Sequence, residues 1–183
     1  MSAPFIHPTA VVEKGVQLGA DVRLWHFVHV RGGAVIGDGT QVGKSCYIDS
    51  DVVIGSRCKI QNFVSVFRGV SLGDDVFVGP SVVFTNDRFP RATGEWSLVE
   101  TIVESGASIG ANATVVCGSR IGGHAMIGAG SVVVKDVPPF GLVVGNPGRL
   151  IGWVCVCGAR VCAPVLSCTH DGITSVAGAG STT

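Results

Sequence analysis

Large apolar residues recur along this chain with a period of six. From Ile6 the series runs through Val12, Leu18, Leu24, Val30, Ile36, Val42, Ile48, Ile54, Ile60, Val66, Leu72, Val78 and Phe84. The phase then breaks and resumes at Val103, Ile109, Val115, Ile121, Ile127 and Val133, which makes twenty hexads. Four places after each large residue the chain is usually small or β-branched, as at Ala10, Val22, Val28, Ala34, Cys46, Cys58, Ala107 and Ala125. Glycine often comes directly after the large residue, as at Gly37, Gly43, Gly55, Gly73, Gly110 and Gly128. A period of six matches neither an amphipathic helix nor an alternating strand. It fits an all-β solenoid whose unit is one short strand and a turn, with the large residue and its partner four places on pointing inward. The glycines are expected to supply turn geometry that a side chain would resist.

Composition adds limits. Apolar residues make up 46% of the 183 positions and charged ones only 14%, against about 25% in ordinary globular chains. So little charge requires a large buried surface or a partner to cover part of the exterior. Thirteen basic residues balance thirteen acidic ones, so no net field favours nucleic acid or an anionic membrane. Met1-Ser2-Ala3-Pro4 leads straight into the repeat without a basic and apolar leader, and no apolar run approaches the ~20 residues of a spanning helix. Seven cysteines are an odd number, and Cys46, Cys58 and Cys117 occupy interior positions. A reduced, cytoplasmic protein is expected.

The break in phase is an insertion. Val103 lies nineteen positions after Phe84 where six would keep register, so thirteen residues are extra within 86–102. The segment is polar and aromatic, with Asn86, Asp87, Phe89, Arg91 and Trp96. A solenoid tolerates a loop at one corner because neighbouring coils still stack, and loops on rigid scaffolds commonly carry function.

The stretches Ile36-Gly37-Asp38-Gly39-Thr40, Ile54-Gly55-Ser56-Arg57-Cys58 and Ile127-Gly128-Ala129-Gly130-Ser131 resemble the hexapeptide motif of the left-handed β-helix acyltransferases. The resemblance implies a left-handed parallel β-helix of about six to seven triangular coils, eighteen residues each, with one inserted loop and a short C-terminal appendage. Further segments narrow it: Leu24-Trp25-His26-Phe27-Val28-His29-Val30, Lys59-Ile60-Gln61-Asn62-Phe63, Phe84-Thr85-Asn86-Asp87, Pro90-Arg91-Ala92 and Val144-Gly145-Asn146-Pro147. They are similar to the bacterial nucleotide-sugar N-acetyltransferases, from about Phe5 to Trp153. Members of that branch act on UDP-linked 2-acetamido-3-amino-glucuronate or dTDP-linked 3-amino-3,6-dideoxyhexoses. The branch implies acetyl-CoA as donor, a homotrimer with active sites between subunits, and a role for Asn86 near the reacting sugar. Antibiotic acetyltransferases of the same fold carry a histidine in the inserted loop, and this loop has none.

An eighteen-residue coil stacks Asn86 over Arg68, Thr85 over Phe67, Asp49 and Arg31, and Val83 over Ser65, Tyr47 and His29. At about 4.8 Å per coil, this edge could hold a nucleoside diphosphate sugar. Arg31 and Arg68 would take the pyrophosphate through their fork geometry, Tyr47 or Phe67 would stack on the base, and His29 and Arg91 are further substrate contacts. An ordinary solvated edge or a subunit contact is the alternative.

The implied reaction is aminolysis of a thioester. Asn86 can orient the attacking amine through its side-chain oxygen but cannot act as a base, which leaves Asp87, His26 and His29 as candidates. Either histidine also fits a purely hydrogen-bonded or interface role. Acetyl-CoA is expected against the C-terminal coils at Gly110, Ala111, Ala129, Lys135 and Arg149, where small residues admit the pantetheine arm and the cations meet phosphate. His124 reads as a surface residue.

The organisation is then a β-helix over 1–137, an extension over 138–154 that completes the CoA region, and a Cys-containing tail over 155–183. Some relatives end in a small zinc ribbon with two cysteine knuckles, and the tail resembles one whose second knuckle is degraded; Cys155, Cys157, Cys168 and His170 could make a Cys₃His site. Incidental thiols are the alternative, and the Ala/Gly/Ser/Thr run from Ser175 reads as disordered. Two other functions fit the fold: a γ-class carbonic anhydrase, which needs three histidines where only His26 and His29 are near each other, and a non-catalytic assembly scaffold. No catalytic metal is expected.

Overall fold

In the computed structural model, which describes residues 2–162, the chain winds as a left-handed parallel β-helix with three flat faces. Each strand is short, typically two residues such as Arg23–Leu24, Gln41–Val42 and Lys59–Ile60. Arg23 pairs with Gln41 and Gln41 with Lys59, all parallel and eighteen residues apart. The faces hold ten, seven and six strands among the described residues.

The large residue of each hexad points inward. Leu24, Val30, Val42, Ile48, Val66 and Phe84 are fully buried, and the smaller Val28, Ala34, Val64 and Ala107 fill the corners between them. Each buried aliphatic side chain removes enough apolar surface to contribute roughly 1.5–3 kcal/mol. Among the described residues four polar side chains are buried with this core, Thr40, Thr101, Ser119 and Ser131; the Thr40 hydroxyl donates to Gly55 O at 2.8 Å and accepts from Cys58 N at 3.0 Å, tying successive coils together.

The glycines after the large residues have a different cause from the one the sequence suggests. The left-handed φ falls two positions later, at the third corner residue, and there the chain accepts Phe27 (φ 58°), Ser45 (57°), Asp51 (59°) and Phe63 (62°) as well as glycine. Gly37 has no positive φ, but a Cβ on it would lie 2.6 Å from the backbone carbon of Gly55 in the next coil. Close approach between coils, not turn geometry, excludes a side chain there.

Register confirms the insertion. Val70 pairs with Thr101 and Phe77 with Ser108, thirty-one residues apart instead of eighteen, a surplus of thirteen. Pairing resumes at Thr101, inside the 86–102 window. Beyond Val133 the spacing shortens: Ile121 bridges Val137 and Ile127 pairs with Val143, each sixteen residues on. That two-residue contraction hides one more turn from a strict count of six, so the winding passes seven coils where the hexads alone predict between six and seven. Arg149–Val154 then folds back antiparallel on Gly141–Val144, and Arg160–Val161 antiparallel on Arg149–Val154, closing the C-terminal end. The proposed zinc ligands Cys168 and His170, and the run from Ser175, lie outside the described residues.

Candidate active site

The three corners of the triangle differ in the residue that comes directly after the large one. At the corner between the seven- and six-stranded faces that position is never glycine: it holds Glu13, Arg31, Asp49, Phe67 and Thr85 in successive coils. Side chains therefore stack along this edge, beside the outward column Val83, Ser65, Tyr47 and His29 of the seven-stranded face.

These residues engage one another. Arg31 Nε lies 2.8 Å from Glu13 Oε1, its Nη1 donates to the Tyr47 hydroxyl at 3.1 Å, and the same nitrogen is 3.7 Å from Asp49. The Tyr47 hydroxyl donates to Asp49 Oδ1 at 3.1 Å, and His29 Nε2 sits 3.0 Å from Glu13. The Tyr47 ring meets His29 edge-on with centroids 5.7 Å apart and Phe67 at 5.9 Å. Arg68 pairs with Asp51 at 3.1 Å. The Gly32 N–H, then Arg31 and His29, hold the Glu13 carboxyl down at about 2, while Tyr47 and Glu13 raise Arg31 further above its ordinary value. The expected contacts His29, Arg31, Tyr47, Phe67 and Arg68 are thus brought together. Their arginines are already matched by Glu13, Asp49 and Asp51, partners the sequence reading left unassigned. Alternating sign down the column Glu13, Arg31, Asp49 was the signal for Glu13 and Asp49; Asp51 lies outside that column.

The inserted loop leaves the same corner. Asn86 is half-buried, and its backbone O accepts from Val99 N at 3.0 Å, closing the loop at its base. Its side chain makes no hydrogen bond among the described residues and stays open to a ligand. Asp87 uses one carboxylate oxygen to accept from Phe89 N at 2.9 Å, which leaves the other available. Phe89 and Trp96 are 77% and 52% exposed, and Arg91 is exposed with its guanidinium on Pro90 O.

His26 stands elsewhere. It lies at the corner between the ten- and seven-stranded faces, stacked on His7 with centroids 3.5 Å apart. Within one protomer a whole face separates it from Asn86 and Asp87. It borders a cavity of about 340 Å³ with Trp25, Gly43, Lys44, Lys59, Gln61 and Asn62. The sequence reading passed over this hollow, although Trp25, Gly43 and Gln61 are spaced by eighteen.

The expected CoA residues fall in two groups. Gly110, Ala111 and Ala129 occupy the His26 corner several coils higher, where the backbones pack so closely that a Cβ on Gly110 would lie 2.5 Å from Ala129 N. Lys135 and Arg149 together line a separate cavity of about 230 Å³ under the terminal hairpin. His124 stacks on Phe140 with centroids 5.2 Å apart and is half-buried. Cys155 and Cys157 flank a hairpin turn with Sγ atoms 2.6 Å apart. Among the described residues no three His, Cys, Asp or Glu side chains converge on a metal-sized site.

Comparison with known proteins fits this geometry. The sequence profile of the bacterial transferase hexapeptide (six repeats) matches residues 33–68. A dTDP-3-amino-3,6-dideoxy-alpha-D-galactopyranose 3-N-acetyltransferase from Aneurinibacillus thermoaerophilus is 50% identical over 158 residues, 86% of this chain and 82% of its own. The crystal structure of a hexapeptide-repeat acetyltransferase from Vibrio cholerae O1 biovar eltor, complexed with acetyl coenzyme A, is similar with a TM-score of 0.61 at 28% identity, covering 66% of this chain and 70% of that one. An N-acyltransferase from Bacillus cereus in complex with dTDP and coenzyme A shares the fold, with a TM-score of 0.57 at 16% identity over 81% of this chain and 79% of its own.

Proposed function

Because this chain belongs to the hexapeptide-repeat acyltransferases, in their nucleotide-sugar N-acetyltransferase branch, we propose that it transfers an acetyl group from acetyl-CoA to the amine of a nucleotide-linked amino sugar. A dTDP- or UDP-linked 3-amino sugar is the acceptor. The observation that carries this reading is 50% identity along 86% of the chain to an enzyme of that activity, and it favours a transferase over a carbonic anhydrase or a scaffold. The working unit is a homotrimer in the cytoplasm. Two features support the assembly: exposed Trp25, Phe27 and Phe63 along one corner, and the distance of a face between His26 and Asn86, which a neighbouring copy would close. The buried thiols Cys46, Cys58 and Cys117 suit a reducing compartment, and among the described residues no helix is long and apolar enough to cross a membrane.

The chemistry is set by the loop. The neutral amine attacks the thioester carbonyl carbon, the oxygen becomes an anion, the carbon–sulfur bond breaks and coenzyme A leaves as the thiol. The Asn86 side-chain oxygen accepts from the amine and aims its lone pair, and the free oxygen of Asp87 takes the proton lost from nitrogen and passes it to the departing sulfur. Alignment of two bound substrates supplies much of the acceleration, and a backbone N–H at a coil corner stabilises the oxyanion. The test is thiol release from acetyl-CoA across a panel of UDP- and dTDP-linked 3-amino sugars. Release is expected with at least one of them. None with any, while simple amines or alcohols react, would refute the reading.

A further inference from the structure

The inserted loop is fixed to the solenoid chiefly through its return limb. The departing limb is anchored at Thr85, whose hydroxyl accepts from Cys117 N and whose N–H donates to Val115 O, both at 3.0 Å. Asn86 comes next. Among the described residues its one hydrogen bond is the 3.0 Å contact from Val99 N to its backbone oxygen. Where Asn86 stands therefore depends on where Val99 is held.

Two glycines hold that limb from opposite sides. Val70 pairs with Thr101 and Ile102 with Arg120, so Gly69, Glu100 and Gly118 stack in successive coils at the corner the loop leaves. The backbone is bound below and above: Thr101 N donates to Gly69 O, and Gly118 N donates to Glu100 O, each at 2.9 Å. Leu98 turns down onto Gly69, where a Cβ would lie 2.9 Å from its Cδ1 and 3.2 Å from its Cγ. Val99 turns up onto Gly118, where a Cβ would lie 3.2 Å from its Cγ1 and 3.3 Å from Arg88 Nη1. Positive φ alone does not account for these glycines, since Asp51 adopts it in the same column one coil below Gly69. What sets Gly69 and Gly118 apart is the loop side chain that each receives. Leu98 is 37% exposed and lies outside the buried core, so trimming it takes little from the solenoid itself.

We propose that Leu98, seated on Gly69, is a positioning residue for acetyl transfer: it holds the return limb, and through Val99 N it sets Asn86 against the reacting amine. This rests on the acetyltransferase reading above and on the role given there to Asn86. A misplacement of about 1 Å at a reacting group costs on the order of 100-fold in rate, so loosening the clamp reaches kcat. The test uses the full chain as wild type, Leu98→Ala, Leu98→Met, Asn86→Ala and Leu98→Ala/Asn86→Ala. Without substrate, hydrogen exchange at the Val99 amide should be at least tenfold faster in Leu98→Ala and near wild type in Leu98→Met, with Tm within about 2 °C throughout. In thiol release from acetyl-CoA with a reactive 3-amino sugar, kcat should fall at least tenfold in Leu98→Ala and return in Leu98→Met, with KM for acetyl-CoA within twofold. On the Asn86→Ala background the Leu98 change should have no further effect, because it acts through Asn86. Unchanged exchange at Val99, an equal kcat loss with and without the Asn86 side chain, or a Tm loss of several degrees in Leu98→Ala would each overturn the proposal. A wild type inactive with every 3-amino sugar would overturn the acetyltransferase reading and the positioning role with it, a failure distinct from unchanged exchange in an active enzyme.

Discussion

Replacing Asn86 by alanine separates chemistry from folding in this protein. The contact that closes the loop is made by the Asn86 backbone oxygen with Val99 N, and alanine keeps it. The side chain is half-buried and makes no hydrogen bond among the described residues, so its removal leaves no buried partner unsatisfied. Such a change usually alters stability by no more than about 0.5 kcal/mol, or less than about 2 °C in Tm for a domain of this size. If the side chain positions the amine in the transition state, its loss resembles the removal of one preorganised polar contact, about 100-fold in kcat. That is about 2.7 kcal/mol at 1.36 kcal/mol per decade. The assay is thiol release at saturating acetyl-CoA beside a thermal melt. Unchanged kcat would remove Asn86 from the mechanism, and a fall in kcat accompanied by a Tm loss of several degrees would make its role structural.

Three further outcomes are expected. Thr40→Val strands Gly55 O and Cys58 N inside the core and should cost about 1–3 kcal/mol in urea unfolding; an unchanged midpoint would show that the hydroxyl is dispensable. Glu13 is held at about 2, below its ordinary 4.5, so its stabilising contribution is complete above pH 4.5 and lost as pH falls towards 2. Glu13→Gln should therefore reduce the loss of stability across that window, and identical acid-unfolding curves for the two proteins would show that the Gly32, Arg31 and His29 contacts contribute nothing. Gly37→Ala, at a residue without positive φ, should still destabilise by about 1–3 kcal/mol because its Cβ meets Gly55; a neutral result in chemical denaturation would return those glycines to a turn role.

The fold was legible because a solenoid repeats its core one hexad at a time. Phe84, Ile109 and Ile127 could be placed from spacing alone, and so could the thirteen-residue insertion, since a parallel register has no freedom to absorb extra residues except at a corner. The turn after Val133 was not legible, because a two-residue contraction breaks the count while the pairing continues. Glycine was misread for a related reason: sequence shows that Gly37 recurs, but only the stacked coils show that it touches Gly55. At the site, columns of eighteen correctly gathered His29, Arg31, Tyr47, Phe67 and Arg68. They did not bring in Asp51, which pairs with Arg68 from outside those columns, nor the hollow beside Trp25, because both depend on side-chain direction at corners.

The most direct test is the crystal structure of the protein with coenzyme A and a nucleotide-linked 3-amino sugar bound together. The sugar nitrogen should lie beside the Asn86 side chain, and an acetyl group placed on the coenzyme A sulfur should bring its carbonyl carbon within about 3–3.5 Å of that nitrogen. Either ligand seated away from the loop that leaves Phe84 and returns at Thr101, or an amine remote from the sulfur, would contradict the account.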